Sequence, residues 1–133
     1  MRHRLYYHFV WTTRDRAPSI EAATAHFLAR YLAGVADRLG AEVLEAGIVS
    51  THVHLLVRVP QTISLPVLVQ GFKGGSAAVA NREIRTSRKG KLRWANGYSA
   101  SSVSEAALER VRQYVRKQAQ HHPDEAIRGW PAP

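Results

Sequence analysis

One eight-residue segment, His52–Val59, constrains the fold most strongly, because it reads as a strand with two different faces. It runs His-Val-His-Leu-Leu-Val-Arg-Val. Successive side chains of a strand point to opposite faces, so His52 and His54 share one face, roughly 6.5–7 Å apart, and a continuous apolar stripe occupies the other. A second strand pattern, Glu42–Val49, lies before this segment, and only two residues separate the two patterns. The two strands are therefore predicted to pair as an antiparallel hairpin.

The rest of the chain alternates between strand and helix patterns. The predicted elements are a strand over Leu5–Thr13, a helix from Ser19 as N-cap to Leu39 and Gly40, the hairpin, a helix capped by Ser64 that bends or breaks at Gly71, Gly74 and Gly75, a strand over Tyr98–Val103, and a helix from Ser104 to Pro123. This order predicts an α+β fold, a ferredoxin-like or RRM-like βαββαβ sandwich with an antiparallel sheet and an extra C-terminal helix. We expect one domain over residues 1–133, with 124–133 as a loose tail because it has no clear pattern.

The charge balance predicts a polyanionic partner. The chain carries 19 Lys and Arg against 10 Asp and Glu, a net charge of +9. Most of the basic residues are Arg, the better bidentate phosphate ligand, although a GC-rich genome that encodes Arg in place of Lys would produce the same bias. The absence of cysteine excludes disulfides and thiolate metal sites. No apolar run is long enough to span a bilayer, so no membrane partner is expected.

A second group of polar residues lies on the last predicted helix. Tyr114 and Gln118 are four residues apart and would share a helix face. Two imidazoles and an amide oxygen can hold a divalent metal, and a nearby tyrosine can attack a phosphate that the metal polarises. Each residue also has a plain interpretation: His52 and His54 as the solvated face of a strand, Tyr114 as a half-buried core residue, and Gln118 as a solvated helix residue.

Together these motifs resemble the HUH single-tyrosine transposases of bacterial insertion sequences and their REP-associated relatives. The resemblance rests on the His-Val-His strand followed by Leu-Leu-Val and on Tyr-Val-Arg-Lys-Gln in the last helix. Further matching segments are Tyr7–Thr13, Leu68–Gly74, Trp94–Tyr98 and His121-His122, so nearly the whole chain is covered. Where the family commonly has Pro-Asp before the histidine strand, this chain has Ser50-Thr51, which removes an acid that would support the site.

The resemblance implies a metal-dependent transposase that cleaves and rejoins single-stranded DNA at hairpin-marked ends. Tyr114 would be the nucleophile that forms a 5′-phosphotyrosine intermediate, and His52, His54 and Gln118 would bind Mg²⁺ or Mn²⁺, with Mn²⁺ the tighter. The resemblance also implies a homodimer whose active sites can be completed in trans, and a cytoplasmic, nucleoid-associated protein of a bacterium or archaeon. It leaves open the roles of His121 and His122.

The candidate DNA-binding residues are basic side chains of predicted loops and helix ends. They are Arg14, Arg16, Lys73, Arg82, Arg85, Arg88, Lys89, Lys91 and Arg93. Trp11, Trp94 and Tyr98 are either stacking platforms for bases or core residues, the latter favoured for Trp11.

Three other functions are alternatives to a transposase. The main alternative is a domesticated or inactive hairpin-DNA-binding protein of the same fold. The sequence does not show the aromatic strand pattern that an RRM-like RNA binder needs. It also lacks the clustered carboxylates that a two-metal nuclease needs.

Overall fold

A computed structural model describes residues 5–84 and 90–131 of the chain, and its centre is one four-stranded antiparallel sheet. The strands lie in the order β2-β3-β1-β4, so β2 and β4 form the two edges. Their bounds are β1 Leu5–Thr12, β2 Glu42–Val49, β3 His52–Val59 and β4 Ser99–Val103. The α+β fold with an antiparallel sheet is confirmed, and the predicted hairpin is the β2-β3 pair, in which Val49 lies opposite His52.

Within residues 5–84 and 90–131, five helices accompany the sheet: α1 Ala22–Arg38, α2 Leu65–Lys73, α3 Ser76–Glu83, α4 Leu108–Arg116 and α5 Gln118–His121. Short 3₁₀ turns lie at Arg14–Arg16, Glu105–Ala107 and Pro123–Glu125. Within the described residues, no helix combines the length and the apolar character that crossing a bilayer requires.

Two of the predicted caps are confirmed and one is wrong. The Ser64 hydroxyl accepts a hydrogen bond from the Val67 amide at 3.3 Å, and the Ser104 hydroxyl accepts one from the Ala107 amide at 3.2 Å. Ser19 does not cap α1, because that helix begins three residues later, with Glu21 in the cap position. The backbone amide of Ser19 instead donates to the Ala17 carbonyl, within the loop that precedes the helix.

The predicted break in the middle helix is also confirmed, and it separates α2 from α3. Gly75 has a φ of +103°, in the left-handed region that favours glycine, and it directly precedes Ser76, the first residue of α3. The buried α2 residues Leu68 and Phe72 pack into the core on one side of the sheet.

The two faces of the sheet have different roles. One face, with Phe9, Val53 and Leu55 among its buried residues, packs in a core that also contains buried residues of α1 and α2. Trp11 belongs to this core and stacks on Phe72 with ring centroids 6.1 Å apart, so its interpretation as a core residue is confirmed. The opposite face carries His52 and His54, and α4 and α5 pack over its β2 side. The imidazoles of His52 and His54 therefore lie between β3 and the helices α4 and α5.

The last helix is not continuous, contrary to the prediction of one helix up to Pro123. It ends at Arg116, Lys117 adopts φ −97° and ψ 27°, and a separate turn of helix starts at Gln118. Val115 is fully buried, whereas Leu108 and Val111 are only partly buried.

The described part of the tail, residues 124–131, contacts the rest of the chain. The Ser50 amide donates to the Glu125 carbonyl at 2.8 Å. Ile127 lies in the core, and the Trp130 ring meets His26 edge to face at 4.6 Å. Residues 124–131 therefore return to the sheet end where the histidine strand begins.

Candidate functional site

Among the described residues, three histidines, rather than two, meet on the sheet face that carries His52 and His54. In the β1-β3 pairing, Val10 lies opposite His54 and His8 lies opposite Leu56, so His8 is one step along the same face. His8 Nε2 lies 2.8 Å from His54 Nδ1, and the two rings stack at 5.0 Å. His8 had no predicted role. The period-two alternation of β1 was the available signal, but it needed the register against β3 to be informative.

Burial keeps these imidazoles neutral. His54 is almost fully buried, and this burial, reinforced by the neighbouring His8 and His52, lowers its pKa to about 3. Burial also lowers the pKa of His8. The pKa of His52 is lowered mainly by burial, although the nearby Glu125 carboxylate opposes that effect. Neutral imidazole is the form that binds a metal ion, so the site has suitable nitrogen donors at neutral pH.

Tyr114 stands above these rings on α4. Its ring centroid lies 6.0 Å from those of His8 and His54 and 4.9 Å from that of His121. The side chain is 43% exposed, so an external substrate can reach it. The next residue, Val115, is fully buried and anchors the helix to the sheet. The predicted tyrosine and histidines thus come together within a single chain.

Close contact between backbones fixes the height of this helix above the sheet. Gly47 of β2 lies under α4, and a Cβ at this position would overlap the Val115 carbonyl and come within 2.9 Å of Gln118 Cγ. No side chain fits between the strand and the helix, so the glycine is required for the close approach.

Gln118 lies beneath the tyrosine rather than beside it on a continuous helix face. The kink at Lys117 turns its side chain inward, where it is only 1% exposed. Its Nε2 donates to the Tyr114 carbonyl at 3.0 Å. Its Oε1 is buried and has no hydrogen-bond partner among the described residues. The side chain also lies close enough to His52 to raise the pKa of that imidazole against the effect of burial.

The residues present fit a divalent metal. A buried amide oxygen without a partner is costly unless something binds it. Together with neutral His52 and His54, Gln118 Oε1 would give a set of two nitrogens and one oxygen, and such a set suits Mn²⁺ and admits Mg²⁺. In the described residues, no three His, Cys, Asp or Glu side chains are grouped as a metal site.

Polar residues also surround His52 on the side away from the tyrosine. Thr51 Oγ1 lies 3.0 Å from His52 Nδ1 and donates to Glu125 Oε1 at 2.9 Å. Arg16 Nη2 donates to the same carboxylate oxygen at 2.9 Å. Partial burial raises the pKa of Glu125, but the hydrogen bonds from Thr51 and Arg16 together lower it by more. The pKa of this carboxyl is therefore below its ordinary value. Glu125 was not predicted as a site residue, because it lies in a segment of the sequence that has no clear pattern.

The predicted DNA-binding residues divide into four groups. Arg14, Lys91 and Arg93 line one groove of about 460 Å³ beside the Arg14–Arg16 turn. Arg16 is engaged with Glu125, and Lys73 Nζ donates to the carbonyls of Ala95 and Gly97 at 2.8 and 2.7 Å, so both have structural partners. Arg82 is exposed and lies 3.9 Å from Glu83. Arg85, Arg88 and Lys89 lie outside the described residues.

Comparisons with known proteins identify the family to which the chain is similar. The family described as "Transposase IS200 like" matches residues 1–118. The ISDra2 transposase TnpA of Deinococcus radiodurans is 28% identical over 119 residues, which cover 87% of this chain and 85% of that protein.

Two solved structures share the fold. A transposase candidate from D. radiodurans R1 has a TM-score of 0.69 at 23% identity, with 96% of this chain and 95% of that chain covered. A REP-associated tyrosine transposase bound to a REP hairpin has a TM-score of 0.67 at 11% identity, with 92% and 72% covered. The match over residues 1–118 shows that this chain belongs to the IS200-like transposase family.

Proposed function

We propose that this transposase cleaves and rejoins single-stranded DNA with Tyr114 as nucleophile and a divalent metal bound by His52, His54 and Gln118. One observation supports this most directly. An accessible tyrosine, two neutral imidazoles and an amide oxygen without a partner lie in one cluster, contributed by β3, α4 and α5. The plain interpretations of these residues do not account for a buried, unpaired Gln118 oxygen.

The proposed reaction is a phosphoryl transfer. The Tyr114 oxygen attacks the scissile phosphorus, the bond to the 3′ oxygen breaks, and the proton lost by the phenol is balanced by one gained at the 3′ hydroxyl. The 5′ phosphate stays on the tyrosine, and attack by another 3′ hydroxyl reverses the step and rejoins the strands. When bound, Mg²⁺ or Mn²⁺ would stabilise the charge that develops at the phosphate during attack by the phenol.

The proposed substrate is a single strand marked by a hairpin. A relative of the same fold is described as bound to a REP hairpin. In this chain, Arg14, Lys91 and Arg93 line a groove that suits a phosphate backbone. Trp94 is partly buried and Tyr98 is exposed, so Tyr98 is the better stacking platform for a base. Binding should be tighter to a hairpin or single strand than to a duplex of the same sequence, and should weaken as salt rises.

The nucleophile is tested by forming the covalent adduct on the strand that flanks the gene, with Mn²⁺ present. Tyr114→Phe should abolish the adduct and leave hairpin binding nearly unchanged, because only a hydroxyl is lost. Tyr98→Phe is the matched control, since it removes the same hydroxyl at a residue that is 41% exposed against 43% for Tyr114, and it keeps the ring proposed to stack on a base. An adduct that persists in Tyr114→Phe rejects the assignment. Binding without any wild-type adduct would favour an inactive hairpin-binding protein.

The metal is tested separately. Chelation should stop cleavage, and Mg²⁺ or Mn²⁺ should restore it. His52→Ala and His54→Ala should each weaken Mn²⁺ binding or slow cleavage by at least about 10–100-fold. Full activity in chelator would reject a metal-dependent reaction.

We also propose a homodimer. The outer edge of β4 is a short, exposed strand that can pair with another sheet, and an edge of this kind is usually covered or paired. Because Tyr114 already lies beside His54 of its own chain, exchange of α4 between protomers is a separate question. Mixing Tyr114→Phe with His52→Ala protomers answers it, since restored cleavage requires a site completed in trans. A monomer at micromolar concentration would reject the dimer.

A further inference from the structure

The end of the chain contributes a carboxylate to the histidine site. The 3₁₀ turn Pro123–Glu125 places Glu125 beside the start of β3, and the Ser50 amide fixes its backbone by donating to the Glu125 carbonyl at 2.8 Å. Its Oε1 accepts from both Thr51 and Arg16. Its Oε2 lies 3.7 Å from His52 Nδ1 and 3.8 Å from His122 Nδ1. The side chain is only 17% exposed, so these contacts lie largely out of water.

The hydrogen-bond directions along this chain of groups are determined by the number of protons available. A threonine hydroxyl has one proton, and Thr51 donates it to Glu125. The Thr51 oxygen can therefore only accept at its 3.0 Å contact with His52 Nδ1. His52 must then carry its proton on Nδ1, which leaves the Nε2 lone pair free for a metal.

We propose that Glu125, acting through the Thr51 hydroxyl, is a positioning residue that selects the metal-binding tautomer of His52 and fixes its ring. The inference rests on the proposed metal role of His52. It assigns a function to the tail, and it also explains how the site works with Thr51 in place of the acid that the resemblance led us to expect before this strand. Here the carboxylate comes from 74 residues further along the chain and reaches the imidazole through a hydroxyl.

Arg16 has a matching role in this arrangement. Its guanidinium holds the same Glu125 oxygen that accepts from Thr51, which keeps the carboxylate aimed at the hydroxyl. The side chain is nevertheless 58% exposed, so the ion pair itself adds little to stability. Its main effect is geometric.

The direct test reads the tautomer in the protein without metal or DNA. Long-range ¹H-¹⁵N NMR spectra distinguish protonated from unprotonated ring nitrogens, and the His52 signals are identified by their loss in His52→Gln. The wild type should show His52 protonated on Nδ1 and unprotonated on Nε2. A proton on Nε2 in the wild type would overturn the proposal.

Variants separate the hydroxyl from its shape and the carboxylate from its bulk. Thr51→Val keeps the branched shape but has no acceptor, and Glu125→Met keeps the length but cannot accept from Thr51. Both should populate the Nε2-protonated tautomer of His52 and weaken binding of Mn²⁺ alone by about tenfold. Thr51→Ser and the neighbouring Asp124→Asn should leave both measurements unchanged.

The outcomes are distinguishable from failure of the proposed function. An unchanged tautomer and Mn²⁺ affinity in Thr51→Val would overturn the proposal, and the same result in Glu125→Met alone would overturn the part played by the carboxylate. If the tautomer responds as expected but the wild type forms no DNA adduct, the positioning role stands and the proposed strand transfer fails. Melting temperatures verify that each variant is folded.

Discussion

Replacement of Gly47 by alanine tests how the tyrosine helix is seated on the sheet. The added Cβ would overlap the Val115 carbonyl, a backbone atom of α4 that cannot rotate away. Relief requires α4 to move by about 1 Å, at a cost of about 1–3 kcal/mol for overpacking. At roughly 3–5 °C per kcal/mol for a domain of this size, the melting temperature should fall by about 3–15 °C.

The same displacement should affect the reaction. Tyr114 directly precedes the residue that is pushed, and a misplacement of about 1 Å between reacting groups can cost about 100-fold in rate. We therefore expect Gly47→Ala to form the phosphotyrosine adduct about 10–100-fold more slowly at a temperature where it remains folded. Single-turnover assays on a labelled hairpin substrate measure this rate.

Gly34 provides the matched control. It lies within α1, and a Cβ there would meet only Arg38 Nη1, at an ordinary contact distance of 3.7 Å. Gly34→Ala should therefore stabilise the protein by about 0.5–1 kcal/mol and leave the adduct rate unchanged. A Gly47→Ala protein that melts at or above the wild-type temperature would refute the close contact. A loss of stability with an unchanged rate would show that the reacting tyrosine is not the one seated on this glycine.

Three further predictions concern single side chains. In the metal-free protein, His54 has a pKa of about 3 in the folded state against 6.5 for the free side chain, so the unfolded state binds a proton first as the pH falls. The free energy of unfolding should therefore be unaffected by this group above pH 6.5 and should fall by up to about 1.4 kcal/mol per pH unit towards pH 3. Urea denaturation at several pH values measures this slope, and His54→Gln should make it shallower. Gln118→Leu should weaken Mn²⁺ binding at least about tenfold in titrations. It should change the free energy of unfolding by less than about 1 kcal/mol, because it removes both an unpaired oxygen and one hydrogen bond. A large loss of stability with intact Mn²⁺ binding would contradict the assignment of Gln118 as a ligand. Lys73→Met should cost about 1–3 kcal/mol without altering the salt dependence of DNA binding, whereas Lys91→Gln should reduce that dependence and spare stability; the reverse pattern would make Lys73 the phosphate contact.

The strands and most helix ends were predictable because local rules determine them. The alternation of β3 and the caps at Ser64 and Ser104 act over a few residues and occur as expected. Ser19 shows the limit of such rules, since several residues before a helix can satisfy the cap preference and long-range packing selects the actual start.

The site was predictable only in part. The sequence supplied His52, His54, Tyr114 and Gln118, and the structure brings all four together. It did not supply His8, whose position depends on strand register, or the kink that turns Gln118 inward.

Long-range contacts also redefined some basic residues. Lys73 was predicted to face DNA from its charge alone, but carbonyl groups more than 20 residues away bind its ammonium group. Periodicity and charge describe what a side chain can do, whereas its partner depends on contacts that no local pattern encodes.

The bare glycine under α4 also bears on how two copies of this chain could share their helices. The contact between β2 and α4 is made by the backbone at Gly47 and the carbonyl of Val115, so it would be the same for a helix of either copy. A helix arriving from a second copy would dock at the same depth and bring its own Gln118 beneath the same histidines. Exchange between copies would then require a change only in the connection between β4 and α4, including the 3₁₀ turn Glu105–Ala107, and none in the chemistry of the site.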